Sequence, residues 1–164
     1  MHRRLLLTVT VAVVVLSVAA PLALAAKPMK GTFSATNTGT SSKLCAFPVN
    51  VASTFTVTYL VWDDGNGNVQ EKDSVTEQDT FTANGKTVQT YPYRFNAFYT
   101  VVGGNLTSWV QTGVEIKLRL PSGALLIDGG WADAYAQIVT NGGDFIFADR
   151  GVHGDISLLC AALT

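Results

Sequence analysis

His153 sits in "DRGVHGD" with Asp149, Arg150 and Asp155 around it, and it is the single histidine once the first 25 residues are set aside. A histidine beside carboxylates is the grouping used for general acid–base catalysis, because imidazole titrates near neutral pH and a carboxylate orients it. Such a trio would suit a hydrolase or an isomerase. Its nucleophile would have to come from elsewhere, and no G-x-S-x-G elbow marks one. The plainer reading of His153 is a solvated turn residue. Glycosidase chemistry needs two placed carboxylates, and twelve scattered Asp and Glu do not single out a pair.

Trp62, Trp109 and Trp131, with Tyr91, Tyr93 and Tyr99, offer aromatic surface that stacks on sugars or lines an apolar site. Large aromatics more commonly serve as core, so each has a bland role beside the functional one. Trp62, Trp109, Trp131 and Tyr93 are the candidate ligand contacts. Trp62 falls on the threonine side of its segment, which puts it near a rim. In "DDGNGNVQEKDS", Asp64, Asn66 and Asn68 alternate as calcium ligands would, but Val69 fills the glycine position and Val75 the closing glutamate. A hairpin tip is the simpler reading, and no metal or other cofactor is expected. "NLT" at Asn105 is a formal glycosylation acceptor, without meaning in a bacterial protein.

The elements that carry these residues follow an export signal. "MHRRLLLTVTVAVVVLSVAAPLALAAKP" joins Arg3 and Arg4 to an apolar run broken at Pro21 and ending in Ala23, Leu24, Ala25, the pattern of a secretory signal cleaved near Ala25. An uncleaved membrane anchor is the alternative, and the rest of a twin-arginine motif is missing. Cleavage leaves 139 residues with 9 basic and 12 acidic side chains, enough for one core. That balance does not suit a nucleic-acid partner or an anionic membrane surface, both of which favour clustered Lys and Arg. Stable membrane insertion after cleavage is not expected.

Two cysteines, Cys45 and Cys160, bracket the folded region. In an oxidising compartment an even count is most simply one disulfide, here stapling the first element to the last. A catalytic thiol or a metal site would need partners, and the chain has no CxxC.

Residues 26–44 are rich in Ser, Thr, Gly and Asn and read as an extended lead-in. From Phe47 to Trp62 apolar and polar residues alternate, which predicts one long strand, ended by the turn-forming "DDGNGN". A polar stretch from Val69 to Thr82 leads to "ANGK", a two-residue hairpin signal. "VEIKLRLPSGALLID" reads as a hairpin with Val114, Ile116, Leu118 and Leu120 on one side and Glu115, Lys117 and Arg119 on the other. Further strands are predicted over Ala134 to Thr140, Phe145 to Ala148 and Ile156 to Cys160, and no helix. Eight to ten short strands without crossovers predict an all-β domain over 45–164. It is a single antiparallel β-barrel, or less favourably a β-sandwich, closed by the disulfide.

Cys45, Phe47, Pro48 and Val49 form a C-x-FPV element, and Cys160, Ala161, Ala162 and Leu163 a C-A-x-L element. Together they resemble uncharacterised small secreted β-rich proteins of actinobacteria. The resemblance implies secretion and the disulfide, and no activity. Calycin and allene-oxide-cyclase barrels offer a likeness of architecture alone. Three functional expectations follow: a secreted, non-enzymatic β-barrel holding a small apolar or aromatic ligand; a structural or adhesive envelope protein; and an enzyme using His153, Asp149 and Asp155.

Overall fold

In the computed structural model, which describes residues 27–164, the period-two segments form long antiparallel strands. The expected export signal lies outside the described residues. Strand β1 (Met29–Ser41) pairs with β2 (Val49–Asp63) along its whole length, from Met29 opposite Val61 to Ser41 opposite Val49. Most of the expected lead-in is therefore an edge strand. Threonine favours the pleated backbone, and hydroxyl pairs such as Thr32–Thr58 at 3.1 Å and Ser34–Thr56 at 2.7 Å tie it across the ladder.

The polar stretch that follows is β3 (Val69–Ala83), reached through the Asp63–Asn68 tip. There the Asp64 carboxylate accepts the backbone N–H of Asn66 at 2.7 Å and the Asn68 side-chain amide at 2.7 Å, so it organises the turn. At the other end Asn84 and Gly85 take φ of 51° and 74°, the left-handed pair a tight hairpin requires, and lead into β4 (Lys86–Gln89). β4 and β5 (Tyr93–Val102) both pair with β3; between them Thr90–Pro92 insert one extra residue. β6 (Asn105–Arg119) and β7 (Leu125–Asp133) form the expected hairpin, and the short β8 (Arg150–Val152) lies against β7.

The sheet runs β1-β2-β3-β5-β6-β7-β8, with β4 also on β3, and β1 and β8 are its edges. It is a single antiparallel sheet, and it is not closed. No ladder joins its ends as a barrel needs, and the strands are not divided between two sheets as in a sandwich. The reason lies after β7, where three expected strands are otherwise folded. Tyr135–Thr140 is a π-helical turn, Phe145–Ala148 has no ladder, and Ile156–Ala162 is a helix, α1. The side chain of Asp155 caps α1 by accepting the Ser157 N–H at 3.0 Å, and Ile156, Leu159 and Leu163 recur at helical spacing on the face that packs.

This C-terminal segment covers one end of the sheet. Leu159 and Leu163 join Val49, Phe81, Val88, Ile116, Leu118 and Leu126 in the core. Gln137 holds the intervening loop by donating to the Phe147 carbonyl at 2.7 Å and accepting its N–H at 2.9 Å. Asp144 reaches back to the Ser41 hydroxyl at 3.0 Å and the Ser42 N–H at 2.9 Å. The Cys45–Cys160 disulfide spans the same junction, with Cα atoms 5.6 Å apart across 115 residues of sequence.

Candidate functional site: an acidic and aromatic sheet face

Register decides which side chains share a face. Odd-numbered residues of β1, β2, β3 and β5 oppose one another throughout, and that face carries buried Val57, Val75, Phe81 and Ala97. We call it the inner face. Even-numbered residues, among them Thr54, Thr56, Thr58, Lys72 and Arg94, form the outer face.

On β3 the inner positions are Glu71, Asp73, Val75, Glu77 and Asp79, so four carboxylates alternate along an interior strand of the sheet. Asp73 stands between Tyr59 and Ala97, Glu77 between Phe55 and Tyr93, and Asp79 opposite Ser53. A fifth arrives through a bulge. The β6–β7 register shifts between Val114 and Ile116, so Glu115 and Ile116 are both buried although adjacent. The simple alternation that set Glu115 beside Lys117 and Arg119 is broken there. Asp128 on β7, opposite Ile116, is the sixth.

These groups divide by their partners. Asp79 is satisfied: it accepts the hydroxyls of Ser53 and of Tyr93, the latter at 2.5 Å, while its own N–H donates to Thr90 Oγ1 at 2.8 Å. Asp128 accepts the N–H groups of Ala148 at 2.7 Å and Gly154 at 3.3 Å and thereby fixes the C-terminal loop. Asp73 and Glu115 differ. They are 7% and 5% exposed, and Asp73 Oδ1 and Glu115 Oε1 meet no hydrogen-bond partner among the described residues; nor does the buried Trp109 Nε1.

Burial and mutual repulsion raise the carboxyl pKa values. Burial pushes Glu77 up to about 8, with the charges of Asp79 and Glu115 adding to it. Burial, then Glu71, raises Asp73 to about 7; burial, then Asp128, raises Glu115 to about 7. Burial followed by the same carboxylates also pushes the Tyr93 and Tyr99 phenols well above their ordinary range.

Around the acids the inner face is aromatic. Tyr99 stacks on Trp109 with ring centroids 5.5 Å apart, and Tyr93 on Phe95 at 6.3 Å. Phe33 on β1 meets Phe55 edge-on at 6.5 Å and Tyr59 at 6.3 Å. Gly31 makes room for this, because a Cβ there would collide with the Tyr59 ring. Phe33 is 49% exposed on the β1 side, whereas Val57, Asp73, Val75 and Ala97 farther across the same face are buried.

The residues singled out from sequence are dispersed. Trp109 and Tyr93 lie on the inner face; Trp62 is exposed at the outer tip of β2, and Trp131 lies under the Arg150 guanidinium at 5.3 Å on the outer side. The acid–base trio does not converge. Asp149 accepts the Asp133 N–H at 2.6 Å and the Gln137 side-chain amide at 3.2 Å, and Asp155 is the cap of α1. His153 is exposed and comes within 3.9 Å of Asp128. Sequence reasoning missed Asp73, Glu77, Asp79 and Glu115. The signal for three of them was the odd-numbered recurrence of acids in "EKDSVTEQD", on the same parity as Val75 and Phe81.

Two shallow clefts lie elsewhere. One, of about 310 Å³, is bounded by Val88, Tyr91, Arg119 and Pro121; the other, of about 320 Å³, by Lys43, Gln137, Asp144 and Phe147. Among the described residues no helix is long and apolar enough to cross a membrane, and no group of His, Cys, Asp or Glu has metal-binding geometry. Set against known proteins, the chain matches no family model, no curated protein and no solved structure.

Proposed function

We propose that this is a secreted, non-enzymatic protein that binds a small apolar or aromatic ligand on its inner face. One observation carries the reading. Phe33, Phe55, Tyr59, Phe95, Tyr99 and Trp109 share one face of the sheet, with Phe33 49% exposed at its β1 side and the other five rings half-buried. Aromatic rings grouped on a rigid sheet give flat apolar area at low entropic cost. The disulfide accords with an oxidising compartment. The test is Trp109 fluorescence and thermal melting of residues 26–164 against a panel of lipids, sugars and aromatic compounds. A ligand that raises the melting temperature, with the gain lost in Tyr99→Ala, is the expected result. No shift with any member overturns the reading.

A structural or adhesive role is the second reading, favoured by the free edge of β1. Thirteen residues long and faced with Ser and Thr, it offers unpaired backbone groups for strand addition. Concentration-dependent self-association or retention on cell-wall material, lost on inserting Pro at Thr36, would favour it; a monomer that binds neither would exclude it.

A further inference from the structure

The two edges of the sheet are unequal. β8 offers three residues, Arg150–Val152, and Gly151 within it takes a φ of 140°. β1 offers thirteen, Met29–Ser41, paired with β2 on one side only and without a register shift. A long, flat edge presents alternate backbone N–H and C=O groups as a template for another strand, and proteins normally blunt it with Pro, a bulge or an inward charge. β1 has none of the three. Its single charged residue, Lys30, stands on the outer face, while Phe33 and Met29 are 49% and 53% exposed at the rim of the inner face.

We infer that β1 pairs antiparallel with β1 of a second copy of this chain, about a two-fold axis at Ser34. The strand's own pattern points to this partner. Its inner residues alternate large and small, as Met29, Gly31, Phe33, Ala35, Asn37 and Gly39. With Ser34 opposite its own copy, Met29 meets the partner's Gly39, Phe33 the partner's Ala35 and Asn37 the partner's Gly31, so each large side chain faces a small one. The two Phe33 rings become diagonal neighbours within aromatic reach, and each covers the other. On the outer face Thr32 meets the partner's Thr36 and Lys30 the partner's Thr38. This extends the hydroxyl pairs of the β1–β2 ladder and brings no like charges together.

The shared ladder runs from Met29 to Gly39 and ends short of Ser41, where Asp144 of the C-terminal loop holds the strand. Pairing β1 with β8 of a second copy would repeat head to tail without closing, and three residues are too few to hold it. The two-fold contact is a strip about 37 Å long and about 10 Å deep on each copy, at the small end of specific interfaces, so the dimer forms in a concentration-dependent way. The inference rests on β1 being the adhesive edge of the second reading above, and it adds what β1 adheres to.

The test is sedimentation velocity of the disulfide-intact protein over a wide range of concentration, with Ala35→Lys and Ser34→Cys variants beside it. The expected result is a monomer–dimer equilibrium with no larger species. Ala35→Lys sets an ammonium against the partner's Phe33 and should raise the dimer dissociation constant about tenfold or more. Ser34→Cys should give a covalent dimer on a non-reducing gel, whereas Thr40→Cys, outside the shared ladder, should not. The cross-link leaves the inner face untouched, so the inference stays testable even if A35K is perturbed. A monomer at every concentration that still binds cell-wall material would overturn the second copy and leave the edge adhesive. A monomer that binds neither would overturn both. Open-ended assembly, or a dimer indifferent to A35K and not cross-linked by S34C, would overturn the two-fold pairing of β1.

Discussion

Glu77 illustrates what a carboxylate costs on a buried sheet face. Its pKa rises from 4.5 to about 8 on folding, because burial and the neighbouring Asp79 and Glu115 disfavour the ionised form. Folding therefore takes up protons at Glu77, Asp73 and Glu115, and stability is greatest below the unfolded pKa values near 4. It falls as pH rises through the folded values of 7 to 8. Thermal melts should show a higher Tm at pH 5 than at pH 8.5, and the Glu77→Gln variant should reduce the difference. A carboxyl shifted this far contributes a few kcal/mol to such a slope. Asp79 contrasts with Glu77, because two hydroxyls satisfy it. Tyr93→Phe removes one of them and should destabilise the protein by about 1–3 kcal/mol, read as a lower denaturant midpoint with unchanged m-value. None of this was legible while Val69 to Thr82 read as a polar stretch. Polar residues alternating along a strand look solvated until the faces are assigned, and only pairing to Val57 and Ala97 puts the acids on the buried side.

At the scale of elements, the strands with strict alternation and strong turn signals emerged as read: β2, and the hairpins at Asn84–Gly85 and Pro121–Gly123. β1 was misread because Ser and Thr serve equally well in a spacer and in a strand whose outer face is wet. The helix was missed for a different reason. Seven residues are too short to show a sustained period, and "SLLCAAL" alone suits a buried strand as well as a helix. Asp155 was the deciding clue. As an N-cap it supplies an acceptor for an orphan N–H, so Asp155→Ala should cost about 1 kcal/mol, seen as a lowered Tm with the sheet's circular dichroism signal retained. Because α1 covers the core end and not the aromatic half, that variant should leave ligand binding unaltered below its melting temperature.

The whole molecule is an open sheet plugged at one end. A sheet is marginal unless its apolar face is covered, and α1 covers Leu118, Leu126 and Phe81 at one end. The disulfide holds that cover down by linking Cys45, just before β2, to Cys160 within α1. Cross-linking residues 115 apart restricts the unfolded chain by about 4–5 kcal/mol on the loop-entropy account. Reduction under otherwise native conditions should lower stability by about 2–5 kcal/mol, checked by guanidinium melts with and without reductant. A protein whose melts coincide would place the stapling elsewhere.

From its sequence alone the protein is an all-β chain with tight hairpins, a single disulfide and no clustered positive charge. Those properties follow from local features: alternation of period two, residues that accept positive φ, and an even pair of cysteines. Tertiary structure alone decided that the sheet stays open, that its last segment folds as a cap, and that six carboxylates meet aromatic rings on one face. The physical reason is that facing is set by register and by bulges. One inserted residue at Glu115 turns a side chain from water to the interior, and no local preference records which side the partner strands have buried.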